Sequence, residues 1–319
     1  MDIKPHQIAV ITGGGTGMGR ALAVQLSAAG VHVSLCDVSE TAMAETLALC
    51  RASAPAGTRL HSFRADVSRE ADLLAFRDAV LAAHGTRHIH LMFNNAGIGG
   101  AGSFIEDDRA AWERVFAVNW FGVYYGTRAF LPLLIASPEE ACLVNTSSVN
   151  GFWASLGPGT TQTAYGAAKF AVKGFTEGLI SDLRLNAPHV RCAVVMPGHI
   201  STQIAQNTQA AADWTPERLA KARRQLLRVG APVADLDDAA LMDFLRQRAD
   251  EFRDNAPTSA EQAAAIILDG VKAGHWRILV GQDAQLLDRC VRQDPENAYE
   301  PAFAQMLADA RAQAQAGQN

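Results

Sequence analysis

The sequence lacks the features that mark several classes of protein. Its five cysteines form no CxxC pair and no cluster with histidine at metal-ligand spacing, which argues against a disulfide framework and a zinc site. Its lysines and arginines are scattered, and the formal net charge is -5, so no basic stripe is offered to nucleic acid or to an anionic membrane. We therefore expect buried reduced thiols, no metal and no nucleic-acid partner.

Long apolar segments are also missing. No stretch approaches the roughly 20 apolar residues that a membrane span requires, and the first apolar run is too short for a secretory signal peptide. These absences predict a cytoplasmic protein without a membrane span. What the chain does contain is an ordinary globular composition, since 49% of its 319 residues are hydrophobic and 19% are charged, which is enough for one sizeable core.

Short apolar runs alternate with helix-length amphipathic segments along most of the chain. Several of the runs are hydrophobic almost throughout, which is typical of strands covered on both faces. The alternation predicts βαβ crossovers and one α/β domain over residues 1–319, a Rossmann-like doubly wound parallel sheet with helices on both faces. The predicted strands are residues 7–12, 31–36, 59–63, 89–93, 141–146, 191–196 and 277–280.

The alternation stops between residues 203 and 257. Two amphipathic helices are predicted there, the first beginning at Thr215, and residues 258–261 have the spacing of a capping box that opens another helix. Two interpretations stay open for this insertion. It folds over the sheet edge as a helical lid, or it contacts another subunit. Residues 282–319 are predicted to form a helical C-terminal tail.

The first predicted strand and helix are joined by the glycine-rich segment Thr12 to Gly19. Glycines allow a tight turn and close approach of a ligand to the backbone, and the N-terminus of the following helix offers free N–H groups to a pyrophosphate. The alternative is a plain glycine-rich turn without a ligand. The position of the segment directly after the first strand favours phosphate binding.

Asp37 stands at the end of the second predicted strand, where its carboxylate can accept hydrogen bonds from the adenosine ribose hydroxyls of NAD. The 2′-phosphate of NADP would be repelled there, by about 4 kcal/mol at about 4 Å and an effective dielectric constant of about 20, before screening. No Arg or Lys follows Asp37 directly. NAD is therefore favoured over NADP, the alternative being that Asp37 only caps the helix at Ser39.

Further polar residues follow other strands, and a Tyr/Lys pair follows on a helix. Asp66 and Val67 come after the third predicted strand and Asn94 to Gly97 after the fourth, at the strand ends where doubly wound sheets bind ligands. Tyr165 and Lys169 are four residues apart on one predicted helix. The ammonium can therefore lie close to the phenol.

Together these motifs resemble the classical short-chain dehydrogenase/reductase family. The resemblance spans roughly residues 7–202 and, less specifically, 259–281. In the order that the family has them, the motifs are TGxxxGxG at Thr12–Gly19, NNAG at Asn94–Gly97, the Asn of VNWFG at Asn119, the serine motif at Asn145–Ser148, YxxxK at Tyr165–Lys169, and PG at Pro197–Gly198 followed by Thr202.

The resemblance implies catalytic roles for Asn119, Ser148, Tyr165 and Lys169. Tyr165 would exchange a proton with the substrate oxygen, and Ser148 would bind that oxygen, with Ser147 as the competing choice. Lys169 would bind the nicotinamide ribose and, with the charged nicotinamide ring, lower the tyrosine pKa from about 10 towards about 7. Asn119 would hold a water for proton exchange.

The family pattern also implies the residues that bind the cofactor, with the backbone near Ile200 fixing the nicotinamide carboxamide. The implied cofactor-binding residues are Gly13, Thr16, Gly17, Met18, Gly19, Asp37, Asp66, Val67, Asn95, Ala96, Gly97, Tyr165, Lys169, Pro197, Gly198, Ile200 and Thr202.

The spacing from Ser148 to Tyr165 is 17 residues, longer than the family's usual spacing, and it includes a Gly-Pro-Gly sequence at residues 157–159. The residues expected beside the substrate are mostly apolar, which favours a bulky hydrophobic or aromatic secondary alcohol. The predicted substrate-pocket residues are Asn150, Phe152, Trp153 and Trp214.

The sequence thus predicts an NAD-dependent oxidoreductase that interconverts a secondary alcohol and a ketone. A stripe of aromatic residues between Trp112 and Tyr124 favours a core or a subunit interface, and the family commonly forms dimers and tetramers, so we expect a homo-oligomer, such as a homotetramer. An NADPH-dependent ketone reductase is the near alternative. A non-catalytic dinucleotide-sensing protein is the alternative from another class.

Overall fold

The computed structural model describes residues 1–100, 102–155, 160–210 and 212–316. Its strands are β1 (Ile8–Thr12), β2 (His32–Asp37), β3 (Leu60–Arg64), β4 (Leu91–Asn94), β5 (Ala141–Thr146), β6 (Val190–Pro197), β7 (Ile200–Ser201), β8 (Thr258–Ser259) and β9 (Arg277–Val280). Its α-helices are α1 (Gly17–Ala28), α2 (Glu40–Ser53), α3 (Glu70–His84), α4 (Arg109–Phe116), α5 (Gly122–Ile135), α6 (Thr163–Asn186), α7 (Ile204–Ala210), α8 (Pro216–Arg228), α9 (Asp238–Asp254), α10 (Ala260–Ala273), α11 (Gln282–Gln293) and α12 (Pro301–Ala316).

Seven strands form one parallel sheet in the order β3-β2-β1-β4-β5-β6-β9. These are the seven predicted strands, with ends that differ from the prediction by no more than two residues. The doubly wound α/β fold is therefore confirmed. The strand order reverses between β1 and β4, and this switch point is where ligands of such sheets bind.

Hydrophobic layers cover both faces of the sheet, because successive side chains of a strand point to opposite sides. Ala9 and Ile11 of β1 pack into one layer with Leu22 of α1. Ile8 and Val10 pack into the other. Both layers exclude water almost completely, which explains why these strands read as continuous apolar runs.

The insertion at residues 203–257 is helical, as predicted, but it contains α7 in addition to the two predicted helices. Its helices have a small apolar core of their own around Leu219, Val233 and Leu241. The segment is bordered by the short parallel pair β7 and β8, which lies just outside residues 203–257. One detail of the prediction was wrong, because the capping box of α10 joins Ser259 to Gln262, one residue later than predicted.

The C-terminal tail forms α11 and α12, as predicted, and residues 317–319 lie outside the described part of the chain, as does the Gly-Pro-Gly sequence. The five cysteines are buried and unpaired, which confirms the prediction of reduced thiols. Among the described residues, every helix is too short or too polar to span a bilayer.

One buried hydroxyl joins the two strand ends at the switch point. Thr12, the last residue of β1, is 2% exposed. Its Oγ1 atom accepts hydrogen bonds from the backbone N–H groups of Asn95, at 3.0 Å, and Ala96, at 3.1 Å. The loop after β4 is thereby fixed against the turn after β1.

We expect Thr12→Val to lower the free energy of unfolding by about 2 kcal/mol, because the isosteric side chain leaves two N–H groups without their acceptor. Thr12→Ser retains the oxygen and should lose less. Urea unfolding followed by circular dichroism measures both. Equal stability of the valine variant and the wild type would contradict this role of the hydroxyl.

Candidate active site

The turn after β1 requires glycine at several positions. Gly13 and Gly17 have φ angles of +65° and +54°, a region that favours glycine. A Cβ atom on Gly19 would lie 2.0 Å from the carbonyl oxygen of Gly13. The backbone of this turn is bare and leads directly into the N-terminus of α1, which is the arrangement that binds phosphate groups.

Asp37 lies against this turn. Its Oδ2 atom accepts a hydrogen bond from the N–H of Gly15 at 3.0 Å, and its Oδ1 atom accepts one from the N–H of Ser39 at 3.1 Å. The N-cap of α2 is Ser39, whose hydroxyl accepts from Ala42. Asp37 is therefore not the capping residue, and the carboxylate lies at the edge of the turn, partly exposed.

The loops after β3 and β4 reach the same edge of the sheet. The Nδ2 atom of Asn95 donates to the carbonyl oxygens of Thr12 and Gly13, each at 3.2 Å. Asp66 accepts from the backbone N–H and the hydroxyl of Ser68, so its carboxylate closes its own loop. Val67 is buried.

Asn119 lies in a single π-helical turn, Ala117–Phe121, between α4 and α5. Such turns are frequent at functional sites. The Nδ2 atom donates to the carbonyl oxygens of Val115 and Ile98, both at 2.8 Å. A Cβ atom on Gly97 would lie 2.8 Å from Asn119 Oδ1 and 3.6 Å from Lys169 Nζ, so Asn119 and Lys169 flank the glycine of the NNAG motif.

Ser148, Tyr165 and Lys169 come together where β5 ends and α6 begins. The hydroxyl of Ser148 hydrogen-bonds the phenol of Tyr165. Lys169 Nζ lies 5.5 Å from the centroid of the tyrosine ring and donates to the carbonyl oxygen of Thr146 at 2.9 Å. Ser147 instead donates to the carbonyl oxygen of Lys169 at 2.7 Å. The structure thus places Ser148, and not Ser147, beside the tyrosine.

Burial shifts the pKa values of this pair. It raises the pKa of Tyr165, and the hydrogen bond from Ser148 only partly opposes that effect. It lowers the pKa of Lys169 to about 7. The cause of the Tyr165 shift is the loss of water around the phenol itself, which disfavours the phenolate. The predicted lowering of the tyrosine pKa includes the charge of a bound nicotinamide ring, and it stays a prediction.

The predicted substrate residues have other contacts. The Nδ2 atom of Asn150 is occupied by the carbonyl oxygens of Trp153, at 3.1 Å, and Ser155, at 3.0 Å. Trp153 is buried against α11 and α12, and Phe152 packs against the same cluster. Trp214 packs into the core of the insertion. These contacts give Asn150, Phe152, Trp153 and Trp214 structural roles, and Trp153 among them is hydrogen-bonded to a partner distant in sequence, Ala298. Their place beside a substrate stays a prediction.

The segment after the PG motif lies over the glycine turn. Thr202 faces Gly17, and a Cβ atom on Gly17 would lie 3.1 Å from Thr202 Cβ. From α7, Asn207 donates to the Thr16 hydroxyl at 3.4 Å, and the hydroxyl of Thr208 accepts from the N–H of Gly99 at 3.1 Å. Sequence reasoning missed these α7 residues, since seven residues give a weak helical pattern.

Asp283 was also missed. Its Oδ2 atom accepts from the N–H of His199, in the PG turn, at 2.6 Å. A Cβ atom on Gly198 would lie 2.2 Å from the same oxygen, so the glycine of the PG motif is needed for this contact. In the sequence, Asp283 is recognisable only as an acidic residue in the first turn of a predicted helix, which does not indicate a contact with the PG turn.

The edge of the sheet fits a dinucleotide. The glycine backbone leaves a cradle that side chains would fill, and the Asp37 carboxylate stands at one end of it. Lys169 and Tyr165 stand at the other end. Among the described side chains, the Oε1 atom of Gln203 is buried beside Gly17 without a hydrogen-bond partner, which is a polar atom that a bound ligand could satisfy.

Comparison with known proteins agrees with this geometry. The sequence profile of the family described as short chain dehydrogenase matches residues 7–213. A Mycobacterium tuberculosis protein named as an oxidoreductase, SadH, is 38% identical over 288 residues, 90% of each chain. Levodione reductase of Leifsonia aquatica is 35% identical over 224 residues, 70% of this chain and 79% of that protein.

A solved structure extends the similarity to almost the whole fold. It is a short-chain dehydrogenase/reductase from Burkholderia phymatum in complex with NAD, which aligns with a TM-score of 0.75 and 32% identity over 94% of this chain and 98% of that chain. The chain therefore belongs to the short-chain dehydrogenase family, whose members are oxidoreductases that use NAD or NADP.

Proposed function

We propose that the protein is an NAD-dependent dehydrogenase that interconverts a secondary alcohol and its ketone. The observation that carries the proposal is the contact of Ser148 with Tyr165, with Lys169 buried beside them, at the edge where the glycine turn and Asp37 also lie. This arrangement supports a proton-transferring role for the phenol beside a site that fits a dinucleotide.

Bound NAD would supply the hydride acceptor, held by the glycine turn, Asp37 and the PG turn. As the phenolate, Tyr165 takes the proton of the alcohol during oxidation, and as the phenol it returns that proton to the ketone oxygen during reduction. The Ser148 hydroxyl donates a hydrogen bond to the substrate oxygen and keeps it within reach of the phenol. Lys169, held by the carbonyl oxygen of Thr146 at 2.9 Å, binds the ribose hydroxyls.

The helices of the insertion are proposed to cover the site as a lid. From α8, Lys221 pairs with Asp107, and Arg228 pairs with Glu106 at 2.6 Å. These ion pairs attach the insertion to the segment that follows the NNAG motif. Of the two interpretations of the insertion, they therefore support a lid on the same subunit rather than a contact with another subunit.

A bulky hydrophobic or aromatic secondary alcohol stays the proposed substrate class on the sequence argument alone, and the relative named levodione reductase is consistent with a ketone. We further propose a cytoplasmic homo-oligomer. Phe121, the last residue of the π-helical turn, is 38% exposed, and Phe104 is 74% exposed. They leave apolar surface for another subunit to cover.

Tyr165→Phe tests the acid/base role. Removal of the phenol oxygen should lower kcat for alcohol oxidation by about a hundredfold or more, whereas the Kd for NADH, measured by fluorescence titration, should stay unchanged. Tyr124→Phe is the matched control and should keep full activity. Full activity of Tyr165→Phe would overturn the assignment.

Asp37→Asn tests the choice of cofactor. The variant removes the charge but keeps an oxygen for the N–H of Gly15, so the preference for NAD over NADP in kcat/KM should fall by about tenfold or more, mainly through better use of NADP. Asp78→Asn, on the surface of α3, should leave the preference unchanged. A wild type that uses NADP as well as NAD would contradict the argument and favour the ketone reductase alternative.

Lys169→Met tests whether burial of the Lys169 ammonium lowers the free energy of unfolding. Because the pKa of Lys169 in the folded chain is about 7, below its ordinary value of 10.5, the unfolded chain binds more protons between these pH values. Burial of Lys169 therefore destabilises the fold most at and below pH 7, and the effect fades towards pH 10.

We expect Lys169→Met to raise the free energy of unfolding at pH 7 by about 1 kcal/mol or more, with a gain that shrinks as the pH rises to about 10, while turnover is lost. Thermal unfolding of both proteins across this pH range measures the difference. A variant less stable than the wild type by the same amount at every pH would refute the expectation.

A further inference from the structure

The C-terminal tail touches both loops that flank the Tyr165 and Lys169 pair. One is the serine loop, residues 148–155, and the other is the PG turn, residues 197–200. We propose that residues 282–303 are a positioning element of the active site, through Asp283 at the PG turn and Tyr299 at the serine loop. The role of Tyr299 in turnover rests on the proposed function, whereas the role of Asp283 in cofactor binding does not.

Asn150 ties the serine loop to the Ser148 hydroxyl. The backbone N–H of Asn150 donates to Ser148 Oγ at 3.1 Å. Its side-chain amide closes the loop by donating to two carbonyl oxygens, those of Trp153 and Ser155. Asn150 is 3% exposed. A shift of the loop at Trp153 is therefore passed to the oxygen that faces Tyr165.

The tail holds the far side of this loop. The indole N–H of Trp153 donates to the carbonyl oxygen of Ala298 at 2.7 Å, and the backbone N–H of Ala154 donates to the hydroxyl of Tyr299 at 3.0 Å. The ring of Trp153 packs on that of Phe303, with centroids 5.4 Å apart. Two hydrogen bonds and a ring contact thus connect the loop to the segment between α11 and α12 and to α12 itself.

The PG turn is held by the start of α11. The Asp283 carboxylate accepts the backbone N–H of His199 at 2.6 Å, and it occupies the space that a side chain on Gly198 would need. Its other oxygen is buried without a partner among the described residues. Asp283 is half-buried, and a carboxylate that is partly withdrawn from water needs good hydrogen bonds, so this contact favours the observed position of the turn.

The tail is itself anchored to the sheet. Asp288 of α11, 7% exposed, accepts from the guanidinium of Arg277 in β9 and from Arg292 at 3.0 Å. The Arg277 guanidinium also lies 5.8 Å from the centroid of the Phe152 ring. The same ion pair therefore joins β9, α11 and the serine loop, which makes the tail a rigid support.

These contacts predict two separable effects. Loss of the Tyr299 hydroxyl should displace Ser148 and slow proton transfer without touching the cofactor. Loss of the Asp283 carboxylate should loosen the PG turn and weaken cofactor binding first. A tail that served only for folding would produce neither pattern, because its variants would change the melting temperature alone.

The experiment measures kcat for alcohol oxidation against pH and the Kd for NADH by fluorescence titration, in the full-length wild type and in Tyr299→Phe, Asp283→Ala and Asp283→Asn. Tyr299 is 60% exposed, so its variant is expected to fold. The controls are Tyr124→Phe and Asp309→Ala, the second on the exposed face of α12.

We expect Tyr299→Phe to lower kcat about five- to tenfold with a shifted pH profile and an unchanged Kd for NADH. Asp283→Ala should raise the Kd for NADH about tenfold, and Asp283→Asn, which keeps an oxygen for the N–H of His199, should restore most of the affinity. The two controls should match the wild type in both measurements.

Both effects are required. A kcat and pH profile of Tyr299→Phe equal to those of the wild type, or a Kd of Asp283→Ala equal to that of Asp309→Ala, would overturn the proposal. If the wild type binds NADH but oxidises no secondary alcohol, the proposed function fails instead, and the Kd measurements still test the role of Asp283.

Discussion

A buried hydroxyl between two strand ends, that of Thr12, is the contact around which the candidate site is assembled. The strand order brings β1 beside β4. The backbone of the loop that follows β4 has left the sheet, so its N–H groups need other acceptors. Thr12 supplies the acceptor for two of its N–H groups. Because the carboxyl ends of all parallel strands meet at this edge, the glycine turn, Asp37, the serine loop and the PG turn follow from the same topology.

The apolar layers hold the site in place, and a buried ionisable group of the site in turn lowers the free energy of unfolding. Lys169 is 2% exposed, and burial moves its pKa towards the neutral form. Burial raises the pKa of Tyr165, so both groups are shifted towards their neutral forms. Near neutral pH the cost to the fold falls on Lys169, because an exposed lysine is charged there whereas a phenol is neutral in water as well. The surrounding hydrogen bonds, from Ser148 and to Thr146, keep both groups in place.

The sequence was sufficient where local pattern decides structure. The strands were predictable because both of their faces are buried, and the position of Tyr165 relative to Lys169 follows from helical spacing. The serine ambiguity needed coordinates, since Ser147 and Ser148 differ only in which way the strand end turns. The capping box was misplaced by one residue because Thr258 with Glu261 and Ser259 with Gln262 both have the required spacing, and only the structure shows that Ser259 is the N-cap of α10.

Contacts between distant parts of the chain were beyond reach. Trp153 reads as a pocket residue until Ala298, 145 positions away, is seen to accept its N–H. Asp283 reads as an ordinary first-turn acid until the PG turn is seen beside it. Both surprises involve the C-terminal tail, whose sequence carries no family motif, so neither spacing nor composition indicated that it reaches the site.

The most direct test of the central claim follows a single hydride. The purified protein is incubated with NAD and a panel of secondary alcohols deuterated at the carbinol carbon, and the cofactor is analysed by mass spectrometry. The account predicts that deuterium appears on the reduced nicotinamide together with the corresponding ketone, with an apolar alcohol as the best donor. Binding of NAD without label transfer from any alcohol in the panel would contradict it.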